Sequence, residues 1–277
     1  MTRTHRRILT LPYLIWAGVF VLLPIFLIIY YSFSVEIEGQ LVFSLDNYKR
    51  VLDPVYWVVL QRSLTLALAC TAICILLGYP VAYILASKEY ANKGFLLFLF
   101  LVPMWMNFLL RTYSWVSILE RNGFLNSLFE LAGLPKVDML YNDSAVLLGM
   151  VYNFLPFMIL PIYSVLRKRN QNLVEAAQDL GANPWQVFWK LIFPLSIPGV
   201  ISGITMVFMP AASTFIIADL LGGTQNMLIG NLIEQQFFKA NDWHFGSAIS
   251  VILMALLLVS FGIFSMVDKN DEEGVLF

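Results

Sequence analysis

The stretch NLVEAAQDLGANPWQVFWKLIFPLSIPGV (Asn172–Val200) lies between two apolar runs of membrane length and carries the clearest helix signals in the chain. Asn172 is a favourable N-cap, and Glu175 three residues later can reach back to complete a capping box. Gly181 is suited to end that helix in the left-handed conformation, and Asn183 before a proline predicts the start of a second helix. The stretch is therefore predicted to form two short helices joined by a tight turn.

The second of these helices has one apolar face, because apolar side chains recur at positions i, i+3, i+4 and i+7. Such a face must be buried, either at the lipid interface, where tryptophan is favoured, or against other helices of the bundle. Two prolines follow and are predicted to end the helix before the next apolar run. The residues of the face are Trp185, Phe188, Trp189 and Ile192, and the prolines are Pro194 and Pro198.

The first helix differs, because it combines two small residues with two acids. Ala176 and Ala177 leave the backbone open to close approach, while Glu175 and Asp179 supply negative charge. A short helix of this kind is suited to insertion into a groove on a partner protein.

The whole chain has the composition of a membrane protein: of 277 residues, 59% are apolar and 13% are charged. A bilayer core about 30 Å thick requires roughly 20 apolar residues per helix, and lipid offers no hydrogen bonds to an open sheet. We therefore predict an all-α protein with six transmembrane helices in a single domain over residues 1–277, with the stretch 167–197 as a loop. The predicted spans are 11–33, 63–85, 95–118, 144–166, 198–218 and 247–267.

The distribution of basic residues predicts the orientation. Cytoplasmic loops of membrane proteins carry an excess of Lys and Arg, and a cytoplasmic N-terminus would place ten of the 17 basic residues inside. Both termini are then cytoplasmic, and the outer face is net negative. That charge suits a cationic solute, although the same bias alone would also produce it. The ten residues are Arg3, Arg6, Arg7, Lys88, Lys93, Arg167, Lys168, Arg169, Lys190 and Lys269.

The sequence does not contain the motifs that are typical of several other classes of protein. The cysteines Cys70 and Cys74 lie one helical turn apart inside a span, which favours core packing over a disulfide or metal site, and no metal is expected. No G-x-x-x-x-G-K-[ST] loop is present to bind a nucleotide. The spans carry no paired catalytic carboxylates or nucleophile motif, so we expect neither an enzyme nor a nucleic-acid partner. The basic start MTRTHRR and its apolar run are interpreted as a retained first helix rather than a signal peptide.

The segments EAAQDLG and LIFPLSIPG resemble the EAA loop of bacterial ABC-importer permeases in spacing, charge and position between the fourth and fifth spans. Leu191 and Phe193 stand where that family usually has Ile and Leu. The resemblance implies a type I importer permease fold in the bacterial inner membrane. It also implies three kinds of partner. They are a second permease subunit that forms a heterodimer with this one, two copies of a cytoplasmic ATPase that bind ATP and Mg²⁺, and a periplasmic solute-binding protein. The residues that would couple to the ATPase are Glu175, Ala176, Ala177, Asp179, Gly181 and Pro194.

Further segments resemble the permeases of spermidine and putrescine importers, over nearly the whole chain. They are FSLDNYKRVLDPVY, LGYPVAY, LVPMWMNFLLRTY, LPFMILPIYS and LIGNLI. The resemblance implies polyamine import by alternating access. The alternatives are a permease for another small solute, such as an amino acid or opine, an ion-coupled secondary transporter, and a membrane-embedded enzyme.

A polyamine path is expected to supply carboxylates for its ammonium groups and aromatic faces for cation-π contact. Asp219 is an ionisable residue at the end of a span, which is a functional candidate or else the mark of the helix end. Aromatic candidates can also belong to interfacial belts. Arg111 would repel a polycation and is expected to pair with an acid or to hold the outer loops. The remaining candidates are Trp105, Tyr113, Tyr152, Asn107, Asn153 and Glu234.

Overall fold

The computed structural model of the chain describes residues 12–37, 40–87, 94–223 and 226–274. The basic segment MTRTHRR, Lys88, Lys93 and the side chain of Lys269 lie outside the described part. The elements in chain order are α1 Pro12–Ser32, β1 Ser34–Ile37, β2 Gln40–Phe43, α2 Asp46–Val51, α3 Pro54–Leu85, α4 Gly94–Trp105, α5 Phe108–Leu119, α6 Phe124–Leu131, α7 Asp143–Lys168, α8 Gln171–Asp179, α9 Pro184–Ser213, α10 Ile229–Phe238 and α11 Trp243–Gly274.

Long apolar helices dominate the described chain, as the composition predicts. Five of them are long and apolar enough to cross a membrane, namely α1, α3, α7, α9 and α11. A sixth span is present if α4 is counted together with the stretch Phe108–Leu131, which contains α5 and α6 and is bent away from α4. The second span differs from the prediction, because α3 begins at Pro54 rather than near residue 63. The prediction of a helical membrane protein is confirmed.

The third span is not the single continuous helix that was predicted over 95–118. The axis bends by 89° between Trp105 and Phe108. Pro103 removes one backbone donor near the end of α4, and the side chain of Asn107 accepts a hydrogen bond at 2.8 Å from the N–H of Leu109, which caps a new helix. The helices α4 and α5 have 12 residues each, or about 18 Å of helix. Neither is long enough alone to cross the hydrocarbon core.

The fifth span is a single continuous helix where a break was predicted. The two prolines that were predicted to end the helix before this span lie within it. The helix α9 continues from Pro184 to Ser213 through both Pro194 and Pro198. A π-turn over Phe188–Ile192 precedes the first of them. Pro194 then occupies the first turn of the α-helical segment that follows, where its missing N–H costs little. Beyond Ser213, Thr214 is extended and a further π-turn covers Ala218–Gly222.

Two compact groups of residues can be distinguished, and the larger comprises Leu60–Asn231 and Leu257–Phe277. Its core is formed by α3, α7 and α9, which pack through small residues. The fully buried Met158 of α7 fits against two glycines: a Cβ atom at Gly78 would lie 3.1 Å from its Cγ, and one at Gly203 would lie 2.6 Å from its Sδ. Small residues allow such close approach between membrane helices. Cys70 and Cys74 are free thiols buried in this core, in agreement with the packing interpretation.

The smaller group comprises Met1–Val59 and Leu232–Leu256 and contains a β-hairpin that the sequence did not predict. Its strands β1 and β2 are antiparallel, with Ser34 opposite Phe43. The buried Asn47 donates to the carbonyl oxygen of Ser34 at 3.0 Å, which holds α2 against the hairpin. Arg50 forms a 2.7 Å ion pair with Asp242 and lies 3.9 Å from the ring centroid of Phe245.

Candidate functional site

The loop between α7 and α9 forms the predicted pair of short helices, but the first begins earlier than expected. Asn170, not Asn172, is the N-cap of α8, and its side chain accepts a hydrogen bond at 3.0 Å from the N–H of Asn172. The predicted capping box of Asn172 and Glu175 is therefore wrong. Asn170 and Asn172 are both suitable N-cap residues. The backbone of Arg169 leaves the helical conformation at the end of α7, so the new helix can begin directly after it, with Asn170 as its cap.

The end of α8 confirms the role predicted for glycine in the turn. Gly181 has φ +84°, in the left-handed region. Its N–H donates to the carbonyl of Gln178 at 2.9 Å, and the N–H of Ala182 donates to that of Ala177 at 3.0 Å. This pair of bonds is a Schellman motif, which satisfies carbonyl groups left free at the end of the helix.

The start of α9 is fixed by a complete capping box. The side chain of Asn183 accepts from the N–H of Gln186 at 2.8 Å, and Gln186 Oε1 accepts from the N–H of Asn183 at 3.1 Å. Asn183 was predicted as the cap, and Pro184 takes the first helical position as expected. The contribution of Gln186 was missed, although the spacing of asparagine and glutamine is the signal for it.

The two alanines predicted to allow close approach point in different directions. Val174 is buried and Ala177 packs against the hydrophobic core, so this side of α8 faces the bundle. Ala176 lies on the exposed side with Leu180, which is 89% exposed. Asn172 and Gln178 are exposed as well. We give the name coupling face to five other exposed residues of α8 and its C-cap, which are Leu173, Glu175, Ala176, Asp179 and Leu180.

The aromatic face of the second helix divides between the bundle and the surface. Phe188 and Ile192 pack into the hydrophobic core, whereas Trp185 is 70% exposed and Trp189 is also exposed. Pro194 is exposed on the following turn. Docking against the bundle, one of the two alternatives predicted for this face, is therefore found for Phe188 and Ile192, while the two tryptophans are exposed.

The residues proposed for a solute path fall into two groups by their surroundings. Asp219 is exposed in the π-turn after α9, and Tyr113 is exposed on α5. Trp105 is 76% exposed at the end of α4, beside the cap residue Asn107. All four residues are exposed, and together they present a carboxylate, two aromatic rings and an amide.

The other three candidates have different surroundings. Tyr152 of α7 meets Trp115 edge-on, with ring centroids 5.4 Å apart. Asn153 is 2% exposed, donates to the carbonyl of Gly149 at 2.9 Å, and leaves Oδ1 without a partner in the described chain. Glu234 is partly buried in α10. A pocket of about 240 Å³ between α9 and α11 contains none of the seven candidates, being lined by Ile201, Ser202, Thr205, Met206, Phe261 and Ser265.

Arg111 was expected to pair with an acid or to hold the outer loops, and no ion pair of Arg111 occurs among the described residues. The residue is 8% exposed, and its Nε has no hydrogen-bond partner within the described ranges. Its guanidinium carbon lies 5.9 Å from the ring centroid of Phe108, a weak cation-π distance. No group of three or more His, Cys, Asp or Glu that could hold a metal occurs among the described residues.

A polar network at one end of α3 and α7 was missed by sequence reasoning. Arg62 forms a 2.7 Å ion pair with Asp143 at the start of α7 and donates to the side chain of Asn226. Asn226 in turn donates to the carbonyl oxygens of Tyr141 at 2.8 Å and Gly222 at 2.9 Å. The network therefore ties the segment before α10 to the ends of two spans.

Comparison with known proteins gives a consistent result. The family of binding-protein-dependent transport system inner membrane components matches residues 3–270. The chain is 43% identical over 252 residues to the spermidine/putrescine transport system permease protein PotB of Escherichia coli K12, covering 88% of this chain and 92% of that protein. It is 39% identical to PotB of Haemophilus influenzae, covering 88% of each chain, and 28% identical to the inner membrane ABC transporter permease protein YdcU of Escherichia coli K12, covering 82% and 77%.

Solved structures give the same fold at lower identity. A bacterial ABC transporter that imports the acidic polysaccharide alginate matches with a TM-score of 0.78 and 17% identity, over 95% of this chain and 94% of that chain. The methionine ABC transporter MetNI in an inward-facing conformation matches with a TM-score of 0.57 and 15% identity, over 79% and 98%. The type I importer permease fold and the resemblance to ABC-importer permeases are thereby confirmed. The chain belongs to the family of binding-protein-dependent transport system inner membrane components and is a membrane-spanning permease subunit of an ABC transporter.

Proposed function

We propose that the chain forms part of the pathway through which spermidine or putrescine crosses the bacterial inner membrane in an ATP-driven importer. The observation that carries this proposal is the 43% identity to PotB over 88% of the chain. The exposed Asp219 and the exposed rings of Trp105 and Tyr113 are chemically suited to a polycation, because carboxylates pair with ammonium groups and aromatic faces attract them.

The partners in this proposal are a second permease subunit, two copies of an ATPase that bind ATP and Mg²⁺, and a periplasmic solute-binding protein. One structural neighbour is described in complex with a periplasmic protein that carries an alginate pentasaccharide, which supports a delivery protein of this kind. The chain itself has no phosphate-binding loop, so ATP hydrolysis belongs to a separate subunit. The distribution of Lys and Arg supports cytoplasmic termini.

The coupling face of α8 is the surface that would receive the ATPase. Glu175 and Asp179 offer negative charge to basic groups of a cleft, and Ala176 between them allows the backbone to approach closely. Leu180 supplies an apolar anchor that is otherwise exposed to water. ATP binding would move the cleft and with it α8, and the bundle would alternate between outward-open and inward-open states that the partners favour differently.

The proposal is tested with the complete complex in proteoliposomes that contain ATP. We expect uptake of labelled spermidine or putrescine that requires the binding protein and ATP, and no uptake of amino acids or sugars. Glu175→Lys and Gly181→Arg should abolish both uptake and solute-stimulated ATP hydrolysis. Uptake of a non-polyamine alone would refute the solute, and normal activity of both variants would refute the role of α8.

A further inference from the structure

Two tyrosines of α3 are packed against the first turns of α9, directly behind α8. The ring centroid of Phe188 lies 5.9 Å from that of Tyr79 and 5.6 Å from that of Tyr83, and both contacts are edge-to-face with interplanar angles of 87° and 90°. Phe193 lies 5.7 Å from Tyr79 as well. Edge-to-face pairs at these distances are favourable and directional. We call these four residues, Tyr79, Tyr83, Phe188 and Phe193, the aromatic clamp.

The π-turn explains how one tyrosine can contact two phenylalanines five residues apart. In an α-helix, positions i and i+5 point about 140° apart, so Phe188 and Phe193 would face different neighbours. Here the N–H of Phe193 donates to the carbonyl of Phe188, which closes the wider turn. Both rings then reach Tyr79, and they also lie 6.4 Å from each other.

A buried hydrogen bond fixes the same junction. The hydroxyl groups of Tyr79 and Ser196 lie 2.9 Å apart, and both residues are buried. Ser196 Oγ donates its only hydrogen to the carbonyl of Phe193 at 2.7 Å. Tyr79 is therefore the donor in the pair, and its hydroxyl is held at one position on α9.

The end of α7 joins the clamp through a charge. Arg169, the residue after α7, has its guanidinium carbon 5.8 Å from the ring centroid of Tyr83. The next residue, Asn170, is the cap of α8. The ends of α3, α7 and α9 and the start of α8 therefore meet at one small cluster of side chains.

We propose that the aromatic clamp carries the movement of α8 into α3, with Tyr79, Tyr83 and Phe188 as positioning residues. The inference rests on the proposed function, because it assumes that an ATPase moves α8. The capped turn at Asn183 joins α8 to α9, and the clamp joins α9 to α3. The spans then respond together, as packed elements with discrete arrangements do. Without the aromatic clamp, a movement of α9 would not be transmitted to α3.

The test uses Phe188→Leu in the complete complex, with Phe208→Leu as the matched control. Phe208 lies on the same helix, is buried, and has one edge-on aromatic neighbour, Phe264, at 6.1 Å. We expect Phe188→Leu to lower the polyamine imported per ATP hydrolysed by about 2- to 30-fold, the range of coupling changes seen for such positions. Phe208→Leu should leave this ratio unchanged, and Phe188→Tyr, which keeps the ring, should restore it.

A second measurement needs only nucleotide. Spin labels at Ile84→Cys on α3 and Asn172→Cys on α8 would be introduced with the buried Cys70 and Cys74 changed to alanine. Without the Phe188 change, their separation should stay constant when ATP is added, and in Phe188→Leu it should shift. An unchanged separation together with an unchanged ratio in Phe188→Leu would overturn the clamp, as would an equal loss of coupling in Phe208→Leu. A wild-type complex that imports no polyamine would instead refute the proposed solute, and the label distances would still decide the clamp.

Discussion

Gly199 of α9 lies against the backbone of α7, such that a Cβ atom at this position would be 3.0 Å from the carbonyl oxygen of Pro161. It would also lie 3.1 Å from Cα of Ile162. Backbone atoms cannot rotate away as a flexible side chain can, so any larger residue must push the helices apart. This crossing lies at the middle of α9, and it requires a residue without a Cβ atom at position 199.

We therefore expect Gly199→Val to destabilise the bundle by about 1–3 kcal/mol, the usual cost of inserting atoms into a packed core. The measurement is thermal unfolding of the purified complex in detergent. Gly262→Val is the control, because a Cβ atom at Gly262 would have no neighbour within 4 Å. Equal unfolding temperatures for the two variants would contradict the close packing of α7 and α9.

The features that sequence reasoning located correctly are those with local physical causes. Gly181 ends a helix because its own backbone adopts φ +84°, and Asn183 caps the next one through a residue three positions away. Apolar runs of membrane length likewise identify spans, because the length and composition of the run alone decide whether it can cross the bilayer.

The features that were missed depend on tertiary context. Pro103 precedes a break, whereas Pro156 and Pro194 lie within continuous helices, so a proline alone does not decide where a span is interrupted. Arg62 and Asp143 are 81 residues apart, so nothing in the local sequence pairs them. The choice of Asn170 over Asn172 as cap likewise depends on where α7 ends.

Gly181 should tolerate asparagine far better than valine. The residue has φ +84°, and a Cβ atom there would meet nothing within 4 Å, so the cost of substitution comes from the backbone alone. The left-handed region costs ordinary residues about 1–2 kcal/mol, whereas asparagine visits it routinely and β-branched residues rarely do. Co-purification of the ATPase with the permease should persist in Gly181→Asn and weaken in Gly181→Val. Equal retention of the ATPase would argue against the need for this turn.

Asn226 should hold the segment before α10 in place. Its side chain donates to the carbonyls of Tyr141 and Gly222, and the N–H of Tyr141 donates to Leu221 at 2.8 Å. Each lost hydrogen bond removes about 0.5–1.5 kcal/mol. Loss of both bonds therefore costs about 1–3 kcal/mol, and in Asn226→Ala hydrogen exchange at the Tyr141 amide should accelerate about 5- to 150-fold. Asn122→Ala, which removes only an exposed acceptor of Lys136, should leave it unchanged.

Asn107 was proposed as a solute contact, and its position as the cap of α5 allows the two roles to be separated. Serine can replace asparagine as a cap, whereas alanine cannot and costs about 0.5–2 kcal/mol. If Asn107 acts only as a cap, Asn107→Ser should retain both thermal stability and polyamine uptake, and Asn107→Ala should lose both. We expect this outcome because the side chain accepts from Leu109 at 2.8 Å. Loss of uptake in the stable Asn107→Ser variant would assign the amide to the solute instead.

Asp219 is the acidic residue that we propose as a contact of the cationic solute, and it is exposed in the π-turn that follows α9. Its backbone N–H donates to the carbonyl oxygen of Phe215 at 2.9 Å. Hydrogen bonds to charged groups contribute about 1.5–3 kcal/mol, so Asp219→Asn should raise the concentration of spermidine needed for half-maximal uptake at least about tenfold. Glu120→Gln provides the control, because Glu120 is an exposed acid at the end of α5. A decrease in the maximal rate alone, with the half-maximal concentration unchanged, would show that Asp219 affects the movement of the bundle rather than the binding of the solute.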